Sequence, residues 1–157
     1  MSSRGSGARH QLRRAALQVL YAVDLGQLAS SGAPSPCEEV FDRVAANFDL
    51  PAGAHAFAKT LVCGTVDCST EIDALLAAHA ENWRISRMAA VDRNILRLAC
   101  YELTRTDTPA SVILDQAVEL ARHFGSEASP AFVNGVLDAI ARGLRSPGDG
   151  GPQDPEP

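Results

Sequence analysis

Residues 117–140 read AVELARHFGSEASPAFVNGVLDAI, and this stretch holds two helical patterns on either side of a turn signal. The first pattern ends at Gly125, which predicts a helix C-cap, and Ser129-Pro130 then predicts the start of a second helix. Apolar spacing passes undisturbed through Asn134-Gly135, a pair that usually marks a turn, so we predict helix there as well. The apolar positions of the two helices are Ile113, Ala117, Leu120 and Phe124, followed by Val133, Val136, Leu137, Ile140 and Leu144.

Helical spacing also covers the chain upstream of this stretch. Gly64 lies inside one of the predicted helices and costs about 1 kcal/mol relative to alanine, which close helix packing would explain. Because no segment shows sustained alternation of apolar and polar residues, the pattern predicts six or seven helices joined by short loops. The upstream helices are expected over about 9–28, from Ser35-Pro36 to before Pro51, over about 54–80, from Ser86 to about 105, and from Thr108-Pro109 onwards.

Charge is distributed unevenly along the 157 residues, whose formal net charge is −5. The first fourteen residues contain four arginines and no acid, whereas the last twelve contain three acids and no base. We therefore predict a disordered basic arm over residues 1–8 and a disordered acidic tail over 146–157, with the folded part at 9–145. The net negative charge argues against indiscriminate binding to polyanions.

The residue pattern disfavours several classes of protein. No apolar run approaches the ~18 residues that a membrane span needs. The apolar run after the N-terminal arginines is interrupted by Gln18 and followed by Asp24, which does not suit a signal peptide. The four cysteines fit no common zinc spacing, and no catalytic triad or phosphate-binding glycine loop is evident. We predict a cytoplasmic protein with reduced thiols, no membrane association, no metal, no cofactor and no catalytic site.

The N-terminal helix carries basic side chains at spacings that place them together. Arg9 and Arg13 are four residues apart, as are His10 and Arg14, and Tyr21 lies seven residues beyond Arg14 on the same side. Guanidinium groups contact phosphates and stack on bases, and an aromatic ring offers a platform for an unstacked base. These residues predict a surface for single-stranded RNA, although the pattern also fits a solvated basic helix end with Tyr21 in the core.

The sequence VDRNILRLACYEL at residues 91–103, together with residues 117–140, 9–21 and the HAENW segment at 79–83, resembles the NusB family. The resemblance covers about residues 9–142, and FVNGVLD after an FGS turn is its most specific part. It implies an all-α fold of about seven helices in two small packed helical bundles. The implied subdomains cover about residues 9–80 and 84–145.

The same resemblance implies a non-catalytic, RNA-binding transcription antitermination adaptor. NusB pairs with NusE, a small-subunit ribosomal protein, and the pair loads onto the boxA element of nascent RNA. It joins the RNA polymerase antitermination complex there and promotes processive transcription of ribosomal RNA operons. Two alternatives stay open: a helical RNA-binding module related to the N-terminal domain of ribosomal RNA cytosine methyltransferases, and a regulatory homodimer that hides the basic arm.

A second RNA-binding patch follows from the resemblance at the start of the last helix. Ser129, Phe132 and Asn134 match positions near the RNA-binding surface of the family, although Phe132 would equally suit the hydrophobic core. Family members often have His-Lys before the phenylalanine, where this chain has Pro130-Ala131. The patch therefore lacks a basic contact, which should weaken RNA binding there or shift it to the arm.

A partner surface follows in the same way. Asp92 and Tyr21 match the family surface that faces NusE, and a carboxylate opposite a basic partner favours specificity and steering. Asp92 would otherwise be a helix charge without a partner. Glu102 and Arg97 are expected to be structural. Trp83 is expected to pack between the subdomains, because a single tryptophan in a connector has a large apolar area to bury.

Overall fold

The computed structural model describes residues 2–24, 37–46, 53–80 and 88–145, and these ranges contain seven helices and no strand. The helices are α1 (Ser2–Asp24), α2 (Cys37–Ala45), α3 (Ala54–Asp67), α4 (Ser69–His79), α5 (Ala90–Arg105), α6 (Ala110–Phe124) and α7 (Ser129–Arg145). The predicted all-α class is confirmed. Predictions for Ser35-Pro36, Pro51, Trp83, Ser86 and the tail at 146–157 fall outside the described residues.

Two hydrophobic clusters form the core, and they divide the chain between α3 and α4. The N-terminal cluster joins α1, α2 and α3 and receives Leu98 from α5. The C-terminal cluster joins α4 to α7 and receives Leu17 from α1. This division differs from the predicted subdomains at about 9–80 and 84–145, because Ile72 and Leu76 of α4 pack with the later helices. Helix α1 therefore contributes side chains to both clusters.

The single helix predicted over about 54–80 is broken in the structure. Cys68 has φ −100° and ψ 14°, which ends α3, and its N–H donates to the carbonyl of Gly64. The apolar spacing continues across the break, so the sequence pattern does not reveal it. The break lets α3 face the N-terminal cluster while α4 faces the C-terminal cluster.

Helix starts follow the predictions only in part. Helix α1 begins at Ser2, so the predicted disorder of residues 1–8 is not what the structure has. Once a helix is nucleated, each further residue gains a backbone hydrogen bond, and this gain opposes the cost of the serines and glycines at this end. Helix α6 begins at Ala110, with Pro109 at the N-cap and no side-chain cap from Thr108. Helix α7 begins at Ser129 and continues through Asn134-Gly135, as predicted.

No helix in the described ranges is long and apolar enough to cross a membrane. All four cysteines are free thiols, and Cys100 is buried in the C-terminal cluster. Burial raises the pKa of the Cys100 thiol to about 12, with a smaller contribution from the charge of Asp73. This thiol is therefore a core side chain.

Gly64 leaves room for Tyr101 where α3 packs against α5. A Cβ atom at position 64 would overlap the Tyr101 ring and its hydroxyl. That ring is partly buried and packs against both hydrophobic clusters. Close helix packing, the explanation expected from the sequence, therefore accounts for a glycine in the middle of a helix.

Replacing Gly64 with alanine should lower the free energy of unfolding by about 1–2 kcal/mol, because overpacking outweighs the better helix propensity of alanine. Urea unfolding monitored by circular dichroism measures the change. In a Tyr101→Leu background the overlap is gone, and the same substitution should stabilise the protein by up to about 1 kcal/mol. Equal effects in the two backgrounds would show that Tyr101 does not require the glycine.

Candidate nucleic-acid interface

Arg13 points into the protein rather than towards solvent. Its Nε donates to Glu102 Oε2 at 2.9 Å and its Nη2 donates to Glu102 Oε1 at 2.7 Å. Arg13 is 3% exposed and Glu102 is 2% exposed. The prediction that Arg13 contacts RNA is therefore wrong, because the guanidinium is buried and already holds a carboxylate. The prediction that Glu102 is structural agrees with the same ion pair.

Arg9 is exposed, as was predicted for both Arg9 and Arg13. It makes no hydrogen bond or ion pair with any residue that the structure describes, and its side chain is exposed. The four-residue spacing does place Arg9 and Arg13 on one side of α1. Arg13 lies opposite Glu102 of α5, however, whereas Arg9 lies one turn nearer the N-terminus.

A second stripe of α1 lies along α6. His10 Nδ1 is 2.9 Å from Gln116 Oε1, which ties the first of these side chains to the middle of α6. One turn later, Arg14 Nη2 donates to His123 Nε2 at 3.2 Å, and the Arg14 guanidinium carbon lies 5.4 Å from the centre of the Phe124 ring. The stripe therefore brings Arg14 to the last turn of α6.

The cationic groups at this end of the molecule have no carboxylate against them. Arg9 and Arg14 form no ion pair with a residue in the described ranges. Two exposed arginines elsewhere are paired, Arg122 with Glu119 at 3.0 Å and Arg142 with Asp138 at 2.9 Å. We call Arg9 and Arg14 the cationic end of α1. A phosphate that approaches it meets fewer competing anions than at the paired arginines.

Tyr21 lies at the surface, next to an apolar groove. The side chain is 39% exposed, so the interpretation that places it in the core is wrong. Tyr21 lines an open groove of about 160 Å³ together with Leu17, Gln18, Val91 and Phe124. Phe124 also contacts Arg14, so the groove adjoins the cationic end of α1.

Asp92 follows Val91 in the first turn of α5, where the helix dipole favours a carboxylate. The residue is half-buried, and its Oδ1 has no hydrogen-bond donor among the described residues. No ion pair joins it to a described cation. Both a contact with NusE and an isolated helix charge remain compatible with this position, so its role stays a prediction.

The patch at the start of α7 differs from its prediction. Ser129 is 2% exposed, and its Oγ accepts the Ser126 N–H at 2.9 Å. It closes the loop between α6 and α7, and a Cβ atom on Gly125 would lie 2.5 Å from its Oγ. Ser129 is therefore a structural residue rather than an RNA contact. Phe132 is half-buried and packs against the C-terminal cluster, as its core interpretation predicted.

Asn134 is the exposed residue of the predicted RNA-binding patch at the start of α7. It lines an open groove of about 410 Å³ between α6 and α7, which also includes Pro130 and Ala131. The groove walls carry the carboxylates of Asp115 and Glu119, and Glu119 pairs with the only arginine among the lining residues. An RNA phosphate would meet net negative charge here. An RNA contact of Asn134 stays a prediction, and it has weaker electrostatic support than an RNA contact at the cationic end of α1.

The acidic residues near the junction of α3 and α4 are surface and ion-pair groups. Asp73 accepts two hydrogen bonds from Arg97 at 2.8 Å, and Glu71 pairs with Arg105. Asp67 is exposed. Within the described part of the chain, no three histidine, cysteine or acidic side chains are placed to share a metal ion.

The sequence model of the NusB family matches residues 10–142, nearly the whole described length between α1 and α7. The chain belongs to the NusB family. A protein named transcription antitermination protein NusB, from Solibacter usitatus, is 43% identical over 145 residues, which cover 89% of this chain and 92% of the relative. A protein of the same name from Sorangium cellulosum is 46% identical over 143 residues, covering 88% and 94%.

A solved complex of the antitermination factors NusB and NusE with dsRNA contains a chain of the same fold. Its TM-score is 0.73 at 32% identity, and the match covers 87% of this chain and 97% of that chain. Membership of the NusB family accounts for the all-α architecture. It does not assign the contacts at the cationic end of α1, which depend on the side chains of this particular chain.

Within the NusB fold of this protein, sequence reasoning missed the side chains of α6 that meet α1. Gln116 and His123 were not among the predicted site residues, and Phe124 was expected only in the core. The signal available in the sequence was a histidine-phenylalanine pair directly before the C-cap glycine, in the last turn of α6. That signal predicts a basic helix end but does not reveal its contact with Arg14, which lies 109 residues away.

Proposed function

We propose that this NusB-family chain is an RNA-binding transcription antitermination adaptor. It binds boxA-type single-stranded RNA together with the ribosomal protein NusE, and the RNA polymerase antitermination complex then transcribes ribosomal RNA operons processively. Its role is binding rather than catalysis, and it acts in the cytoplasm. Support comes from relatives named transcription antitermination protein and from the similar fold of NusB in a complex with NusE and dsRNA.

The observation that carries the RNA-binding part is the cationic end of α1. Guanidinium groups bind phosphate well when no carboxylate competes for them, and Arg9 and Arg14 meet that condition among the described residues. The chain as a whole has a net charge of −5, so its overall charge cannot supply the attraction. RNA binding should therefore concentrate at this end, with Arg9, His10, Arg14 and Tyr21 as the contacting residues.

The groove beside Tyr21 supports NusE as the protein partner. It combines an exposed aromatic ring with apolar walls, and Asp92 follows the lining residue Val91 in the sequence. Aromatic anchors in an apolar pocket contribute most of the energy of protein interfaces, and a peripheral carboxylate steers a basic partner. RNA and NusE would then occupy adjoining surfaces, which meet at Phe124.

Fluorescence anisotropy with a short labelled boxA-like RNA, with and without NusE, tests the proposal. We expect binding at low salt and tighter binding when NusE is present. No binding in either condition at low salt would refute RNA binding by this chain. Binding by NusE alone that this chain does not strengthen would refute its role as an adaptor.

Replacing Arg9 and Arg14 together with alanine should flatten the salt dependence of RNA binding. The log–log slope for a single strand falls by about 0.7 for each phosphate contact that is lost, so a decrease of up to about 1.4 is expected. Arg142→Ala removes the same charge at the far end of α7 and should leave the slope unchanged. Equal slopes for the double variant and the wild-type protein would exclude both arginines as phosphate contacts.

A further inference from the structure

The guanidinium of Arg14 lies over the ring of Phe124 and contacts the ring of His123. Its carbon lies 5.4 Å from the centre of the Phe124 ring, and its Nη2 donates to His123 Nε2 at 3.2 Å. The two rings on α6 also contact each other, with centres 4.7 Å apart and planes at 65°. Phe124 packs against the C-terminal cluster, so this arrangement is anchored to the core.

The contact with His123 defines the hydrogen-bonding state of the imidazole. An arginine has five N–H donors and no acceptor, so Nε2 of His123 must accept and its proton must lie on Nδ1. As the acceptor in this contact, His123 orients the guanidinium.

The other face of the Arg14 guanidinium is available to a ligand. Arg14 is half-exposed and has no further hydrogen bond or ion pair with a residue in the described ranges. A planar guanidinium with one face on an aromatic ring can receive a flat π-system on its opposite face. Nucleic-acid bases stack on such surfaces irrespective of their sequence, provided that they are not already stacked in a duplex.

We propose that Phe124 and His123 hold Arg14 as a flat platform on which one unpaired base of the bound RNA stacks. The inference rests on the proposed RNA-binding function and adds a base-stacking subsite to it. Arg14 contacts the base, whereas His123 is a positioning residue that acts through Arg14. Because the guanidinium is oriented before binding, less side-chain freedom is lost when the base arrives.

The platform makes the shape of Arg14 as important as its charge. Arg14→Lys keeps the charge but removes the plane, so it should weaken RNA binding about fivefold or more while the salt slope stays unchanged. The measurement is anisotropy with the complex of this chain, NusE and a short labelled boxA-like RNA. The same RNA with an abasic site at each position in turn locates the base: at one position, wild type and Arg14→Lys should bind equally.

His123 has a matched pair of variants. His123→Ala removes the acceptor and should weaken RNA binding about threefold, whereas His123→Gln keeps an acceptor oxygen and should restore most of the affinity. In nitrogen–proton correlation spectra of the free protein, the ring current of Phe124 should shift the Nε–H signal of Arg14. That shift should decrease in His123→Ala and return in His123→Gln.

The outcomes separate this inference from the proposed function. If wild type binds RNA but Arg14→Lys binds equally tightly, the charge alone suffices and the platform is refuted. An unchanged Arg14 signal and unchanged affinity in His123→Ala would refute the positioning role. Absence of RNA binding by the wild-type complex would instead refute the proposed function. His123 is exposed, so its substitution leaves the hydrophobic core intact.

Discussion

Replacing Glu102 with alanine should lower the free energy of unfolding by about 3–5 kcal/mol, because Arg13 would be left as a buried charge without a counterion. The two side chains are 3% and 2% exposed, and two hydrogen bonds of 2.9 and 2.7 Å join them. Arg13 Nη1 already lacks a partner within the described residues, so no spare acceptor compensates for the lost carboxylate. This ion pair also joins α1 to α5, and so links the two parts of the core.

Chemical denaturation with urea measures this loss. Glu119→Ala is the matched control, because it breaks an exposed pair with Arg122 and should cost no more than about 1 kcal/mol. A double variant, Arg13→Met with Glu102→Met, removes both charges and should recover most of the stability. A loss in Glu102→Ala no larger than in Glu119→Ala would show that the buried pair does not stabilise the fold.

Replacing Asp24 with alanine should lower the free energy of unfolding by about 2–3 kcal/mol, since it removes several charge-assisted hydrogen bonds at once. Asp24 Oδ2 accepts from Arg93 Nε at 2.9 Å and from Asn94 Nδ2 at 3.0 Å, and Oδ1 accepts from Arg97 Nη1 at 3.3 Å. The loss is smaller than for Glu102 because Arg97 keeps its pair with Asp73 and Arg93 keeps the carbonyl of Met88.

The contribution of Asp24 should also depend on pH. Burial raises the pKa of its carboxyl group, but hydrogen bonds from Arg93 and Asn94 and the charges of Arg93 and Arg97 outweigh burial, so the pKa is below its usual value of 3.8. The unfolded chain therefore takes up the proton first as the pH falls. Stability from Asp24 is fully present above the unfolded pKa and disappears as the pH falls through the folded pKa.

Unfolding curves of wild type and Asp24→Ala at several pH values test this dependence. The difference in unfolding free energy should be constant from neutral pH to about pH 5 and should shrink below about pH 4. Asp24→Asn is the control, since it keeps an acceptor oxygen but neither the charge nor the titration, and its loss should be intermediate. A difference between wild type and Asp24→Ala that stays constant down to strongly acidic pH would contradict the assigned ion pairs.

Local periodicity was sufficient for most of the helices, and the motifs that resemble NusB were sufficient for the family. Residues three and four apart lie on the same side of a helix, whatever packs against that side. Apolar spacing therefore predicted α5, α6 and α7 directly from the sequence. The same reasoning carried the last helix through Asn134-Gly135, against a strong turn signal. It failed at Cys68, because the apolar spacing is the same on both sides of a break between α3 and α4.

The sequence alone determined that this protein is all-helical, that it belongs with NusB, and that basic side chains gather near its N-terminus. Only the tertiary structure decided which of those side chains face solvent. Arg13 and Arg14 are neighbours of the same type, yet one pairs with Glu102, 89 residues away, and the other rests on Phe124 at the surface. Spacing sets the direction in which a side chain leaves its helix, whereas distant elements of the chain determine what it meets there.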